Sequence, residues 1–293
     1  MQSKTNTNGV WFVRHACSIY NLGGEILSGE TKIADISKEE QDFFSNITGR
    51  FDLKFLDARL SSKGIAQAKA AQTLANKIPA KYVIVSPLAR TLDTARIMFE
   101  THPHSDNIKF LVHPVIRECF EGPDDVPFWS LKTQKPKYVG NKDCPLNYDF
   151  SMMEGFDHPG MFFLETADPA VKEAVMKRVA TEGEDKYPDI MVGMLSDLWD
   201  AKEKAKAQGK RVYPGLETRT NARKRARSFL VWLSRFIEEK KVKPEEVVVV
   251  THSSFLMCLA AQKFNADGEP DYPCVENAKP FQLDINELMK HYS

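Results

Sequence analysis

Two arginines and two histidines follow closely on short apolar runs of the sequence. They are Arg14, His15, Arg90 and His252. The planar guanidinium group of arginine binds phosphoryl oxygens in bidentate fashion, and a neutral imidazole can attack phosphorus and carry the phosphoryl group covalently. A carboxylic acid would then be needed to protonate the departing alkoxide. These residue types indicate an anion site, and phosphate is the natural candidate.

The apolar runs beside these residues are typical of strands that are buried on both faces. They comprise residues 10–13, 81–85, 108–112 and 247–250. Amphipathic helices are predicted over 62–78, with Ser61 or Ser62 as the N-cap, and over 222–237. This alternation predicts an α/β fold, a three-layer α/β/α sandwich with a mostly parallel central sheet. Ligands bind beyond the carboxyl ends of parallel strands, so we expect the four cationic or imidazole side chains at one edge.

Two segments do not fit the alternation. Residues 22–58 are mixed and polar, and residues 121–215 are rich in proline, with one helix predicted around 189–207. We interpret both as insertions into a single domain spanning 1–293, the larger forming a cap over the active-site edge.

The larger insertion, residues 121–215, is expected to determine substrate specificity, because binding residues are often carried by loops that a rigid scaffold positions. It carries lysines and aromatic residues, and we expect the aromatic residues to form a small core of the cap. These residues are Lys132, Lys135, Lys137, Trp129, Tyr138, Tyr148, Phe150, Phe156, Phe162 and Phe163.

The composition excludes several classes of protein. The 293 residues include 40 Lys+Arg and 40 Asp+Glu, a formal net charge of zero that predicts neither nucleic-acid nor membrane binding. Five cysteines without a CxxC pair argue against a disulfide framework or a zinc ribbon. The polar residues 1–9 lack the features of a secretory signal, and the chain is predicted to be cytoplasmic. The oligomeric state is not predictable from these features.

Six segments, in order, resemble the motifs of one family. Residues 14–21 read RHACSIYN against RHGxSxWN, and residues 60–68 read LSSKGIAQA against L[ST]xxGxxQA. Residues 86–95 read SPLARTLDTA against SPLxR[AT]xxTA, and residues 116–118 read IRE against LxE. Residues 215–217 (GLE) are similar to a GES-like turn, and residues 249–252 (VVTH) to VV[TS]HG. Together they resemble branch 1 of the histidine phosphatase superfamily, the phosphoglycerate-mutase-like proteins.

The resemblance implies a role for each matching residue. His15 would be the nucleophile that becomes phosphohistidine, and Glu118 would be the general acid for the leaving group and then the base for water. The phosphate pocket would be lined by Arg14, Arg90 and His252. Further hydrogen bonds to the substrate would come from Ser18, Asn21 and Ser253.

No metal and no cofactor is implied, because arginines supply the positive charge that phosphoryl transfer requires. The nearest candidate for a metal cluster is His102 and His104 with His113. We interpret these as ordinary loop histidines, because their spacing does not match a metal site.

The resemblance implies a metal-independent phosphomonoesterase that acts on a phosphorylated small molecule or a phosphoprotein. Ser18 and Ser253 stand where the acid phosphatase branch has arginine and aspartate, which disfavours that branch. Residues 119–123 lack the basic residues that hold a bisphosphate in the glycolytic mutases. Two alternatives remain: a phosphoglycerate or sugar-phosphate mutase, and a catalytically silent protein that binds a phosphorylated ligand.

Overall fold

A mostly parallel sheet forms the centre of the protein. The computed structural model describes residues 9–126, 131–142, 144–154, 169–208, 217–265 and 268–292. Within these ranges the strands are β1 (Val10–Arg14), β2 (Tyr82–Val85), β3 (Lys109–Val112), β4 (Asn147–Asp149), β5 (Val247–Thr251) and β6 (Phe281–Leu283). Their order is β4-β3-β2-β5-β1-β6, and each neighbouring pair is parallel except β1 with β6. The predicted α/β class with a mostly parallel sheet is confirmed.

Helices cover both faces of this sheet. They are α1 (Ile19–Ser28), α2 (Lys38–Ser45), α3 (Ser62–Ala75), α4 (Ala89–Phe99), α5 (Leu131–Tyr138), α6 (Pro169–Glu182), α7 (Tyr187–Ala207), α8 (Arg219–Lys240), α9 (Ser253–Ala260) and α10 (Ile285–Lys290). Val13 and Val250 pack with α3 and α4, whereas Phe12 and Val249 pack with α8, α9 and α10. Successive strand residues point to opposite faces, so each strand contributes to both cores. This is the predicted three-layer arrangement.

The long elements predicted from the sequence are confirmed, with small shifts at their ends. The four apolar runs correspond to β1, β2, β3 and β5 within one residue at each end. Helix α3 ends at Ala75 and is followed by a turn, three residues earlier than predicted, and Ser61 is its N-cap, accepting a hydrogen bond from Gly64 N at 3.1 Å. Helices α7 and α8 include the predicted 189–207 and 222–237.

The larger predicted insertion contributes to the sheet as well as to its cover. It supplies the edge strand β4, paired with β3, and the helices α5, α6 and α7. Tyr138, Tyr148 and Phe150 are buried in the same core as α3 and α4, so the expectation of a separate cap core is wrong for these three residues. Of the other aromatic residues, Trp129, Phe156, Phe162 and Phe163 lie outside the described residues, as does the side chain of Lys132. The division of the chain into a domain with two insertions stays a prediction.

Among the helices described above, none combines the length and apolarity needed to cross a membrane. All five cysteines are unpaired thiols, and only Cys274 among them is exposed.

Candidate active site

The three central strands place the predicted site residues at one edge of the sheet. Val250 of β5 lies between Val13 of β1 and Val85 of β2. The pairing continues past the strand ends, since His15 N donates to the Thr251 carbonyl at 2.9 Å. The residues that follow β1, β2 and β5 therefore meet at their carboxyl ends, as the parallel arrangement requires.

A cavity of about 170 Å³ opens at this edge. The predicted site residues line it, except Ser18 and His252. The lining comprises Arg14, His15, Tyr20, Asn21, Arg50, Arg90, Glu118, Glu121, Gly122, Asp124, Asp125, Ser253 and Ser254.

His15 has the tautomer and the charge state of a nucleophile. Its Nδ1 lies 2.7 Å from the Ala16 carbonyl oxygen, which can only accept, so Nδ1 carries the proton. Burial and the charges of Arg90 and Arg14 lower the pKa of His15 well below its usual value, so the ring is neutral at physiological pH. The lone pair is therefore on Nε2, which accepts a hydrogen bond from Arg90 Nε at 3.2 Å.

Arg90 lies in the first turn of α4 and is 1% exposed. Its NH2 donates to Asp125 Oδ1 at 2.7 Å and its NH1 donates to the carbonyl of Asp124, whose carboxylate lies 3.6 Å away. Asp57 holds the start of this helix, because its carboxylate accepts a hydrogen bond from Ala89 N at 2.8 Å. The guanidinium group thus points from a fixed helix end at both His15 and two aspartates.

The two aspartates beside Arg90 are missing from the sequence-based prediction. Burial raises the pKa of Asp125 to about 6, although Arg90 partly offsets this. Burial and the charge of Asp125 raise the pKa of Asp124 well above its usual value. The sequence feature that could have revealed them is the pair of adjacent acidic residues, six and seven positions after Glu118. Both carboxyl groups therefore take up a proton more readily than a free aspartate does.

Glu118 is fixed by backbone donors. Its Oε1 accepts from Cys119 N at 2.8 Å and from Phe255 N at 2.9 Å, and its Oε2 accepts from Ser254 N at 3.0 Å. Two of these donors belong to the first turn of α9, where the helix dipole attracts negative charge. The carboxylate therefore has one orientation, at the wall of the cavity and 8% exposed.

His252 lies behind His15, away from the cavity. It is fully buried, and the two imidazole rings are 5.1 Å apart between centroids. Its Nε2 lies 2.7 Å from the hydroxyl of Ser86, and burial and the Arg90 charge lower its pKa well below the usual value. Its predicted place in the phosphate pocket stays a prediction, since the structure shows it packed against the His15 ring.

Ser18 and Asn21 hold the start of α1. The Ser18 hydroxyl accepts from Asn21 N at 3.1 Å, and Asn21 Oδ1 accepts from Ser18 N at 3.3 Å, a reciprocal capping box. Asn21 also lines the cavity, whereas Ser18 is fully buried and away from it. The structure thus gives Ser18 a capping role that the sequence-based prediction did not include.

The loop between β1 and α1 is held by the start of α3. Ser61 donates to the Cys17 carbonyl through its hydroxyl and through its backbone N, each at 3.0 Å. A Cβ on Gly64 would lie 2.0 Å from the same carbonyl oxygen, so only glycine permits this approach. The glycine of the second motif is therefore required for the position of the His15 loop.

Arg14 is oriented by a loop near the carboxyl end of the chain. Its NH1 donates to the Val275 carbonyl at 2.9 Å and lies 3.2 Å from Cys274 Sγ, which is 3.0 Å from the Ser253 hydroxyl. Asn277 Nδ2 donates to the His15 carbonyl at 2.6 Å. No sequence motif marked this loop, which reaches the site because β6 returns beside β1.

A buried ion-pair cluster lies beneath Glu118. The Glu217 carboxylate accepts from Arg117 NH1 at 2.9 Å and from Arg225 Nε and NH2 at 2.9 and 2.7 Å. Burial alone would raise the pKa of Glu217, but the two guanidinium groups hold it at about 2. Arg225 NH1 also donates to the Arg117 carbonyl, so α8 fixes the backbone next to Glu118.

The histidines considered as metal ligands have other partners. His102 Nε2 donates to the Ile78 carbonyl at 3.0 Å and its Nδ1 accepts from His104 N, whereas His113 packs against the Trp232 ring at 4.3 Å. Over the described residues, no group of three or more His, Cys, Asp or Glu side chains has the geometry to hold a metal ion.

Comparison with known families gives a match over part of the chain. The sequence model of the histidine phosphatase superfamily, branch 1, matches residues 43–157, which confirms the resemblance predicted from the motifs. This match includes the segments around Gly64, Arg90 and Glu118. No curated protein matches the sequence.

Several solved structures are similar to this chain at low identity. A mycobacterial glucosyl-3-phosphoglycerate phosphatase in complex with VO3 has 18% identity and a TM-score of 0.45, covering 93% of this chain and 89% of that chain. The ecdysone phosphate phosphatase of Bombyx mori in complex with tungstate has 14% identity and a TM-score of 0.46, covering 93% and 87%. A phosphoglycerate mutase from Bacillus anthracis has 15% identity and a TM-score of 0.43, covering 98% of each chain.

Proposed function

Since residues 43–157 match the histidine phosphatase superfamily, we propose that this protein is a phosphomonoesterase that works through a phosphohistidine at His15. The observation that carries the proposal is the state of His15. The imidazole is neutral, its Nδ1 proton is engaged by the Ala16 carbonyl, and its Nε2 lone pair lies at a cavity lined by Arg14 and Arg90. The substrate is a phosphorylated small molecule.

In the first step, the Nε2 lone pair attacks phosphorus and forms the N–P bond. The P–O bond to the organic group breaks, and its electrons go to the leaving oxygen, which takes a proton from the carboxyl group of Glu118. Arg14 and Arg90 neutralise the phosphoryl oxygens, which removes the need for a metal ion.

In the second step, water attacks the phosphohistidine. The Glu118 carboxylate accepts a proton from the water, the N–P bond breaks, and its electrons return to Nε2. Inorganic phosphate leaves. The fixed orientation of Glu118 supports this exchange, because the same carboxyl group faces the leaving oxygen and then the incoming water.

A labelled phosphate monoester should leave a trapped phosphoenzyme that is labile in acid and stable in base, as a phosphohistidine is. His15→Ala should abolish the labelled species and lower kcat/KM at least a thousandfold, since the nucleophile is lost. His104→Ala is the matched control, because His104 is exposed and distant from the cavity. Unchanged turnover in His15→Ala would refute the proposal.

The same experiment separates the alternatives to hydrolysis. A mutase would form the phosphoenzyme but transfer the group to a second position of the substrate without releasing phosphate. A silent binding protein would bind phosphate and form no phosphoenzyme with any ester of a broad panel. Release of one phosphate for each ester consumed is the result we expect.

A further inference from the structure

A second cleft lies directly beside the catalytic cavity. It has a volume of about 420 Å³ and shares Tyr20 and Arg50 with the cavity. Its other walls come mainly from α1, α2 and the segments that follow them, and they are largely apolar. The apolar lining consists of Ile26, Leu27, Ile33, Phe44, Ile47 and Phe55.

Part of this apolar lining is open to solvent. Leu27 is 83% exposed and Ile33 is 47% exposed, whereas Phe55 at the base is only 4% exposed. When an apolar ligand covers large exposed side chains around a concave surface, apolar area leaves water and binding is favoured. The cleft is therefore suited to an apolar ligand.

The walls of the cleft are anchored to the core. Glu40 of α2 accepts from Ser62 N and from the Ser62 hydroxyl, both at 2.7 Å, and Glu25 of α1 pairs with Lys63 at 2.7 Å. Both contacts join the segment 22–58 to the start of α3. The cleft thus exists before a ligand binds, which lowers the ordering cost of binding.

Tyr20 and Arg50 form the boundary between the cleft and the cavity. The Tyr20 ring packs in a T-shaped arrangement with Phe55 of the cleft, with 5.2 Å between the ring centroids. The Tyr20 hydroxyl lies beside Gly122 of the cavity wall, where an added Cβ would be 3.0 Å from the hydroxyl oxygen. The Arg50 guanidinium stacks 3.8 Å from the Trp199 ring and lines both spaces. The Tyr20 ring is therefore in contact with the cleft, and its hydroxyl lies beside the cavity wall.

We propose that the substrate is a phosphate monoester of an apolar alcohol, whose phosphate occupies the cavity and whose organic group passes Tyr20 into the cleft. This assignment rests on the phosphatase activity proposed above. It places substrate selection in the segment 22–58, in addition to the larger insertion to which the sequence pointed. A sugar phosphate fits less well, because the apolar walls offer its hydroxyl groups few partners.

The test uses a series of straight-chain esters: ethyl, butyl, hexyl and octyl phosphate. Burying one methylene group changes an equilibrium about threefold to fourfold. One side of the cleft is open, so each methylene group is only partly buried and contributes less than this. We therefore expect kcat/KM to rise at least tenfold in total from the ethyl to the octyl ester. Rates that do not depend on chain length would overturn the assignment.

Two variants of the cleft sharpen the test. A Cβ on Gly24 meets no atom within 4 Å, so the leucine of Gly24→Leu starts in open space at the cleft wall and adds bulk there. Leu27→Ser removes apolar surface at an exposed position. Each should lower the octyl-to-ethyl ratio of kcat/KM about fivefold. Leu74→Ser is the matched control, because Leu74 is 38% exposed on α3 and does not line the cleft, and its ratio should be unchanged.

Binding of alkylphosphonates, which have no ester bond to hydrolyse, separates this inference from the proposed function. By calorimetry, octylphosphonate should bind at least tenfold more tightly than ethylphosphonate, and Gly24→Leu should reduce that difference. If no ester is hydrolysed but this preference holds, the phosphatase fails and the apolar site stands. If esters are hydrolysed and the preference is absent, or Leu74→Ser reduces it equally, the apolar site fails and the phosphatase stands.

Discussion

Arg90 already has its charge matched before a phosphate binds. One guanidinium nitrogen contacts Asp125 at 2.7 Å, and the Asp124 carboxylate lies 3.6 Å from another. An incoming dianion must share Arg90 with these groups, and an ionised carboxylate beside it repels the ligand. The protonation state of the two aspartates therefore controls the affinity of the cavity for anions.

Asp125→Asn should strengthen the inhibition by sulfate at pH 8 at least tenfold. Burial raises the pKa of Asp125 to about 6, so the carboxyl group is ionised and repulsive at pH 8 and neutral at pH 5. The wild-type inhibition constant for sulfate should rise with pH through about 6, whereas the variant should show a flatter profile. Sulfate is the right probe, since its own charge is constant over this range.

Asp106→Asn is the control for that experiment, because Asp106 is exposed in the turn before β3. Its sulfate inhibition should follow the wild-type profile at every pH. Equal inhibition of wild type and Asp125→Asn at pH 8 would show that Asp125 does not oppose anion binding.

Among the structural elements, the segment that carries Glu118 depends on α8. Arg225 of α8 donates to the carbonyls of Val115 and Arg117, and Glu217, just before the helix, pairs with both arginines. All three charged side chains are nearly inaccessible to solvent. A cluster of this kind fixes one geometry, because removing one partner leaves an unpaired charge in the core.

Glu217→Gln should lower the free energy of unfolding by about 3–5 kcal/mol, the usual cost of breaking a buried ion pair. The variant keeps the shape of the side chain but removes the negative charge that both guanidinium groups contact. Urea unfolding followed by circular dichroism measures the loss. Glu238→Gln, at an exposed position of α8, should change it by less than 0.5 kcal/mol. An equally small change in Glu217→Gln would mean that the cluster does not stabilise this region.

For the molecule as a whole, the strands that could be predicted from the sequence are those that are buried on both faces, because such burial requires a continuous run of apolar residues. Strand β5 is four valines and a threonine, all fully buried, and its neighbours β1 and β2 are similar. Strands β4 and β6 have three residues each; β4 has one buried tyrosine between two exposed polar residues, and β6 is only partly buried. Neither strand has a run of apolar residues long enough to be distinguished from a loop in the sequence.

The same distinction applies to the site. Arg14 ends β1, His15 and His252 directly follow strands, and Arg90 and Glu118 lie in recognisable motifs, so the sequence predicted all five. The aspartate pair and Arg50 lie in short turns between the longer elements. Asp125, for example, is placed by the backbone N–H groups of Glu121 and Gly122, which both donate to its carboxylate. Such turns leave no periodic pattern in the sequence.

Buried neutral histidines should make the whole protein less stable in mild acid. Burial lowers the pKa of His113 to about 4. The unfolded chain binds the proton from about pH 6.5 downward, whereas the folded protein binds it only near pH 4. The free energy of unfolding therefore falls as the pH drops through this window, by about 3 kcal/mol for His113 at its lower end.

His113→Asn should remove this contribution to the pH dependence. Asparagine can replace the Nδ1 acceptor that Val115 N contacts at 3.1 Å, but it does not titrate. Position 113 therefore no longer lowers the stability of the variant as the pH falls from 7 to 4.5. The difference in unfolding free energy between wild type and variant should therefore shrink as the pH falls from 7 to 4.5. His104→Asn, at an exposed position, should track the wild type. Chemical unfolding at several pH values measures this, and a wild-type-to-His113→Asn difference that is independent of pH would contradict the assignment of a neutral, buried His113.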